Sequence, residues 1–249
     1  MTIDTLISPA ELPALARRDL SGTACVVFDI LRATSTFVTA LHHGAAAIIP
    51  VSDIAAAVAL RDQRPAVRLA GERDGVRISA ALAGGVEFDF GNSPREFTPE
   101  RVRGKTIVST TTNGTRALRA GAAAKTVLAG SFLNLAATAE FLRGEKEILL
   151  ICAGTGENAA DEDILAAGAL CELLVARENV RPTLSEPSDS ARRRFTELKM
   201  DLAAALGGSQ NGRRLLAIPE LRDDVAFCAR RDVFNLVAVM HADGALRRR

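Results

Sequence analysis

Short apolar runs alternate with segments in which apolar residues recur every three or four positions, from Thr23 almost to the C-terminus. Apolar runs of four to eight residues are strand-sized, and the helical-period segments between them serve as crossovers. The pattern therefore predicts an α/β fold with a largely parallel, helix-covered sheet. Strands are expected at 23–28, 46–51, 67–70, 105–109, 126–129, 147–152 and 233–240. Helices are expected at 34–43, 54–61, 114–120, 134–142 and 161–177, the last carrying Ile164, Gly168, Cys171 and Val175 at helical spacing. The stretch 180–190 contains Pro182 and Pro187 and little periodicity, so it reads as a linker or long loop before two or three further helices. It is where a sub-domain break would fall in what otherwise reads as one α/β domain over 1–249.

Composition narrows the function classes. Ten Phe with no Trp and no Tyr leave a core of Ala, Val, Leu and Ile and argue against a base-stacking surface. Thirty-one basic against thirty acidic residues give a net charge of +1, which offers no overall attraction to nucleic acid or membrane. Arg247 to Arg249 read as a solvated tail, and Arg192 to Arg194 as the exposed face of a helix. Cys25, Cys152, Cys171 and Cys228 lack zinc or redox spacing and read as buried, reduced thiols. With no apolar segment of about 18 residues and no basic-then-apolar leader, a cytoplasmic location is expected.

In a parallel sheet, ligands bind beyond the carboxyl ends of the strands, so the residues that follow each strand carry the chemistry. Asp29-Ile30-Leu31-Arg32-Ala33-Thr34-Ser35 places a carboxylate, an arginine and hydroxyls at one strand end and a helix start. A helix N-terminus and an arginine fork both suit phosphate. Gly71-Glu72-Arg73 follows the strand expected at 67–70 and runs into an Asp74-Gly75 turn. Thr110-Thr111-Thr112-Asn113-Gly114-Thr115-Arg116 is a dense run of donors fit for an oxyanion. Cys152-Ala153-Gly154 leads to Asp161-Glu162-Asp163, acids that stabilise a helix start or reach a hard cation such as Mg²⁺. Gly91-Asn92-Ser93-Pro94 is a short turn, followed by Arg95.

Three apparent motifs fail. Gly154-Thr155-Gly156-Glu157-Asn158-Ala159 fits the dinucleotide fingerprint, but its acids would repel a pyrophosphate and no second strand follows. Gly104-Lys105-Thr106 precedes its strand and has Pro99 where a P-loop needs glycine. His42, His43 and His241 lack zinc spacing, and the pair at 42 and 43 reads as a partner of a helix C-terminus.

Taken in order, the blocks at Asp29 to Thr36, Gly71 to Arg73, Gly91 to Pro94, Thr110 to Thr115, and Cys152 to Gly154 with Glu162-Asp163 resemble the signature of the 2-phosphosulfolactate phosphatases. The likeness continues more weakly through Asp223-Asp224 to Cys228 and is poorest over 180–210. It implies a three-layer α/β/α fold with a largely parallel, mixed sheet. It also implies Mg²⁺-dependent removal of phosphate from 2-phospho-3-sulfolactate, a step towards coenzyme M. On that basis Mg²⁺ is expected on Asp29, Glu72, and Glu162 or Asp163. Arg32, Thr34 and Ser35 are expected on the phosphate. Thr111, Thr112 and Asn113 are expected on nonbridging oxygens or the sulfonate, with Asn92, Ser93, Arg73 and Arg116 as further anion contacts. A covalent role for Asp29 is less favoured, because Leu31 stands where haloacid dehalogenase-type enzymes carry a second Asp. The partner is a small anionic phosphate ester, with no nucleic acid and no membrane, and a homo-oligomer stays open. Two alternatives remain: a phosphatase for another 2-phospho acid, such as phospholactate or phosphoglycolate, and a non-catalytic small-anion sensor.

Overall fold

The computed structural model describes residues 1–176 and 182–249. Its strands are β1 (Thr2–Leu6), β2 (Thr23–Phe28), β3 (Ala47–Pro50), β4 (Arg68–Arg73), β5 (Val76–Arg77), β6 (Thr106–Thr110), β7 (Thr126–Gly130), β8 (Glu147–Cys152), β9 (Thr183–Leu184), β10 (Ala238–Met240) and β11 (Leu246–Arg248). The helices are α1 (Ala33–His42), α2 (Ile54–Gln63), α3 (Pro99–Val102), α4 (Gly114–Ala120), α5 (Leu135–Phe141), α6 (Asp161–Val175), α7 (Glu186–Leu198), α8 (Leu202–Gly208), α9 (Gln210–Leu216) and α10 (Arg222–Cys228).

The strand order is β5-β4-β6-β3-β11-β10-β7-β2-β8-β1-β9. β4, β6 and β3 form one parallel block, and β7, β2, β8, β1 and β9 form another. The hairpin β10–β11 stands between them, antiparallel to both neighbours. The sheet is thus largely parallel but mixed, as expected.

Alternation along β2 explains the three layers. Cys25 and Val27 point into a core that includes Phe37, Leu41, Ala117 and Leu118 from α1 and α4. Ala24, Val26 and Phe28 point into a second core with Leu135, Leu165, Leu170 and Phe195 from α5, α6 and α7. Every residue of β2 is buried, which is why it reads as a continuous apolar run. α6 and α7 approach closely at Gly168, where a Cβ would lie 2.1 Å from the Ala191 carbonyl oxygen.

Four expectations change. The linker expected at 180–190 is largely ordered: Thr183–Leu184 pairs with β1 and Glu186 opens α7, with Ser185 as N-cap and Pro187 in its first turn, where proline is tolerated. The rest of that expectation, and the end of the helix placed at 161–177, lie outside the described residues. Arg247 and Arg248 of the expected tail instead belong to strand β11, because Leu246 is fully buried while the arginine heads reach outward. Arg247 pairs with Asp243, and the Arg249 guanidinium sits 5.0 Å from the centre of the Phe141 ring. The strand expected at 233–240 shrinks to Ala238–Met240, since Asp232 and Phe234 donate to the Phe132 and Leu133 carbonyls instead of to a ladder. Finally, Gly71 to Arg73 are the end of β4 and not a loop, with Asp74 and Gly75 at φ 56° and 81° turning the chain back into β5.

Candidate active site

The strand-end segments after β2, β4, β6 and β8 converge on one cleft of about 290 Å³. Asp29, Leu31, Arg32, Glu72, Thr112 and Asn113 line it, and Asn211, Arg214 and Leu215 of α9 close it.

Asp29 is buried at the end of β2. Its Oδ1 accepts from the Ala33 amide at 2.9 Å, and its carbonyl accepts from the Thr34 amide at 2.9 Å and the Thr34 hydroxyl at 3.0 Å. The first amides of α1, expected to cradle phosphate, are therefore occupied by Asp29 itself. Gly114 lets the next loop close over this carboxylate, since a Cβ there would lie 2.6 Å from Asp29 Oδ2. Burial raises the Asp29 pKa to about 7; the Ala33 hydrogen bond opposes this, and the Glu72 and Glu162 charges add to it.

The surrounding carboxylates divide into anchors and one free oxygen. Glu72 accepts from the Thr112 amide and hydroxyl through Oε1 and from the Gly75 amide through Oε2. Asp163 accepts from the Ile30 amide at 2.8 Å and the Gly154 amide at 2.9 Å, which ties the β2 and β8 loops together. Its carboxyl is pushed well above the usual range by burial and by the Glu162 and Asp29 charges. Glu162 is buried, accepts from Asn211 Nδ2 at 2.6 Å through Oε1, and leaves Oε2 with no hydrogen-bond partner. Burial also raises the Glu162 pKa, against the Asn211 hydrogen bond.

Arg32 is buried against Asp224, with Nη1 to Oδ2 at 2.8 Å, and its Nη2 donates to the Gly75 carbonyl. Asp224 also accepts from the Ser93 hydroxyl at 2.7 Å. Asn92 lines the cleft, and its carbonyl accepts from Thr36. Asn113 locks two loops together by donating to the Ala153 and Gly156 carbonyls and accepting from the Gly156 amide.

Other expected contacts lie away from the cleft lining. Ser35 bonds the Ile30 carbonyl and Ser131, and Thr111 bonds Thr115, so these hydroxyls stabilise their own segments. Arg73 donates to the Glu72 carbonyl and to Thr110 and borders a different groove beside α2. Arg116 makes an exposed ion pair with Glu157. The four thiols are buried; burial pushes those of Cys25, Cys171 and Cys228 up to about 12, so they are not thiolate nucleophiles.

Residues 10–243 match the model of the 2-phosphosulpholactate phosphatase family. The chain belongs to that family. Its relatives include a probable 2-phosphosulfolactate phosphatase of Thermotoga petrophila, 38% identical over 86% of this chain and 88% of the relative. A protein of the same name from Caldanaerobacter subterraneus is 38% identical over 88% of each chain. Another from Clostridium novyi is 31% identical over 97% of each. The family blocks seen in the sequence are the segments that build the cleft. The α9 residues Asn211, Arg214 and Leu215 escaped sequence reading, since a polar Asn-Gly-Arg-Arg run looks like any solvated helix. Asp224 carried a faint signal, as one of two acids at a helix start.

Proposed function

We propose that this protein hydrolyses 2-phospho-3-sulfolactate to 3-sulfolactate and phosphate with Mg²⁺ as cofactor, the reaction type of a coenzyme M route. Family membership supports the reaction, and the charge balance of the cleft supports the metal. Asp29 and Glu72 line the cleft at the strand ends, Glu162 and Asp163 act on Asp29 from the first turn of α6, and the buried Arg32 is already neutralised by Asp224. Burial and mutual repulsion disfavour the charged forms of Asp29, Glu162 and Asp163, and a bound cation would relieve that repulsion and favour their ionised forms.

No three His, Cys, Asp or Glu side chains form a ready-made metal cage among the described residues. Mg²⁺ needs none, because it takes one or two carboxylates and keeps several waters. The partnerless Glu162 Oε2, on a carboxyl whose charge acts on Asp29, fits that requirement. Asp29 and Glu162 would hold the ion, with Glu72 and Asp163 fixing the loops around it. When bound, the ion supplies charge neutralisation to the phosphoryl oxygens and the leaving alkoxide. Arg32 has spent two of its five N–H groups, on Asp224 and Gly75, and offers the rest, with the Asn92 amide, to the phosphoryl group. Holding both reactants in line provides the remaining acceleration. The four buried free thiols suit a reducing compartment, so the cytoplasm is the proposed location.

The deciding experiment is phosphate release from 2-phospho-3-sulfolactate with Mg²⁺ and then with EDTA. Fast, chelator-sensitive release is expected. Release from phospholactate or phosphoglycolate alone would move the substrate assignment, and binding without any release would leave an anion sensor. Asn211→Ala, which frees the second Glu162 oxygen, is expected to weaken Mg²⁺ binding by roughly 10- to 100-fold, read by calorimetry.

A further inference from the structure

Two arginines line the cleft, and they flank one turn. Arg32 donates to the Gly75 carbonyl. Arg214 lies near the same glycine, where a Cβ on Gly75 would come within 3.8 Å of its Nε. The two differ in how their charge is used. Arg32 is buried and paired with a buried carboxylate. Arg214 is 46% exposed, and its carboxylate contact is Asp74 at 3.4 Å, itself 94% exposed. An exposed pair of that length is weak, so little holds Arg214 back from a ligand.

Arg214 also belongs to a fixed wall. Asn211, one turn earlier on α9, is tied to Thr155 and Glu162, both at 2.6 Å, and Leu215 is buried beside it. We propose that Arg214 is the specificity-determining residue that receives the second anionic group of the substrate, the sulfonate carried on the carbon next to the phosphate ester. This inference rests on the reading under Proposed function. It follows from the match between two guanidiniums separated by a single turn and two of the substrate's three anions, the phosphate and the sulfonate, which sit on adjacent carbons. A guanidinium, weakly hydrated and planar, suits a weakly hydrated sulfonate better than an ammonium does. The apolar Leu215 beside it suits the methylene that carries the sulfur.

The test compares Arg214→Gln with the wild type on 2-phospho-3-sulfolactate and on 2-phospholactate, which lacks the sulfonate. The ratio of kcat/KM for the two substrates is expected to fall by roughly 10- to 100-fold, carried mainly by KM. Arg214→Lys should fall between the two. Equal losses on both substrates, or an unchanged ratio, would overturn the proposal. Calorimetric binding of the product 3-sulfolactate to both proteins tests it without turnover. If the wild type releases no phosphate yet loses 3-sulfolactate affinity on Arg214→Gln, the reaction assignment fails and the Arg214 assignment stands. If that affinity is unchanged, the Arg214 assignment fails whatever the reaction.

Discussion

Asp29→Asn is expected to lower kcat/KM by about three orders of magnitude in a protein that remains folded, the several kcal/mol that a charged anchor of the proposed Mg²⁺ would contribute. An asparagine keeps the oxygen that receives the Ala33 amide, so the start of α1 survives. What disappears is the negative charge in a pocket where burial and two neighbouring carboxylates already oppose it. The same substitution has a pH signature. The folded-state pKa of about 7 lies above the ordinary value of 3.8, so between these limits the native protein holds a proton that the unfolded chain releases. This contribution to stability is fully present at about pH 4 and below, and it is lost as pH climbs through about 7. The metal-free wild type should therefore lose Tm over that window, and Asp29→Asn should lose less. Near-normal turnover and Mg²⁺ dependence in the variant would remove Asp29 from the centre of the site. Parallel Tm curves would show that its carboxyl does not titrate in this way.

Asp224→Ala is expected to be the most destabilising change at the site, at about 3–5 kcal/mol, or ~10 °C in Tm for a chain of this size. It strands the Arg32 guanidinium, which is 3% exposed, without its carboxylate. It also removes the acceptor of the Ser93 hydroxyl. Replacing both ends by apolar groups could restore stability, because the cost lies in the orphaned charge and not in the lost attraction. Asp224→Asn keeps an acceptor in place and should recover much of the Tm. It should still lower kcat/KM about tenfold, since a neutral amide holds the arginine less firmly. Thermal unfolding of the two variants side by side decides the matter: a Tm of Asp224→Ala equal to that of the wild type would show that Arg32 finds water or another partner.

The chemistry of the strand ends was readable because it is local. A strand buried on both faces, such as β2, reads as an apolar run, and the polar residue that follows it marks the sheet's edge. Asp29 could therefore be placed from sequence without knowing what lay opposite it. The Asp74-Gly75 turn was readable for the same reason, since few residue pairs tolerate two positive φ values in succession. The use each group makes of its donors was not readable. Thr34, Ser35 and Thr111 have the composition of an anion cradle, yet they spend their hydroxyls on neighbours a few residues away. Only the loop geometry decides between those two fates.

The amino-acid sequence by itself determined most of the central strands and the helices between them, which strand ends carry acids and arginines, and the family to which the chain belongs. These follow from side-chain periodicity and from residue order. The tertiary structure alone decided that Leu246–Arg248 enters the middle of the sheet beside β3, that Asp224 neutralises Arg32 from 192 positions away, and that Asn211 and Arg214 close the cleft. Contacts of that range leave no periodic mark, because they depend on where packing of the two cores brings distant segments together.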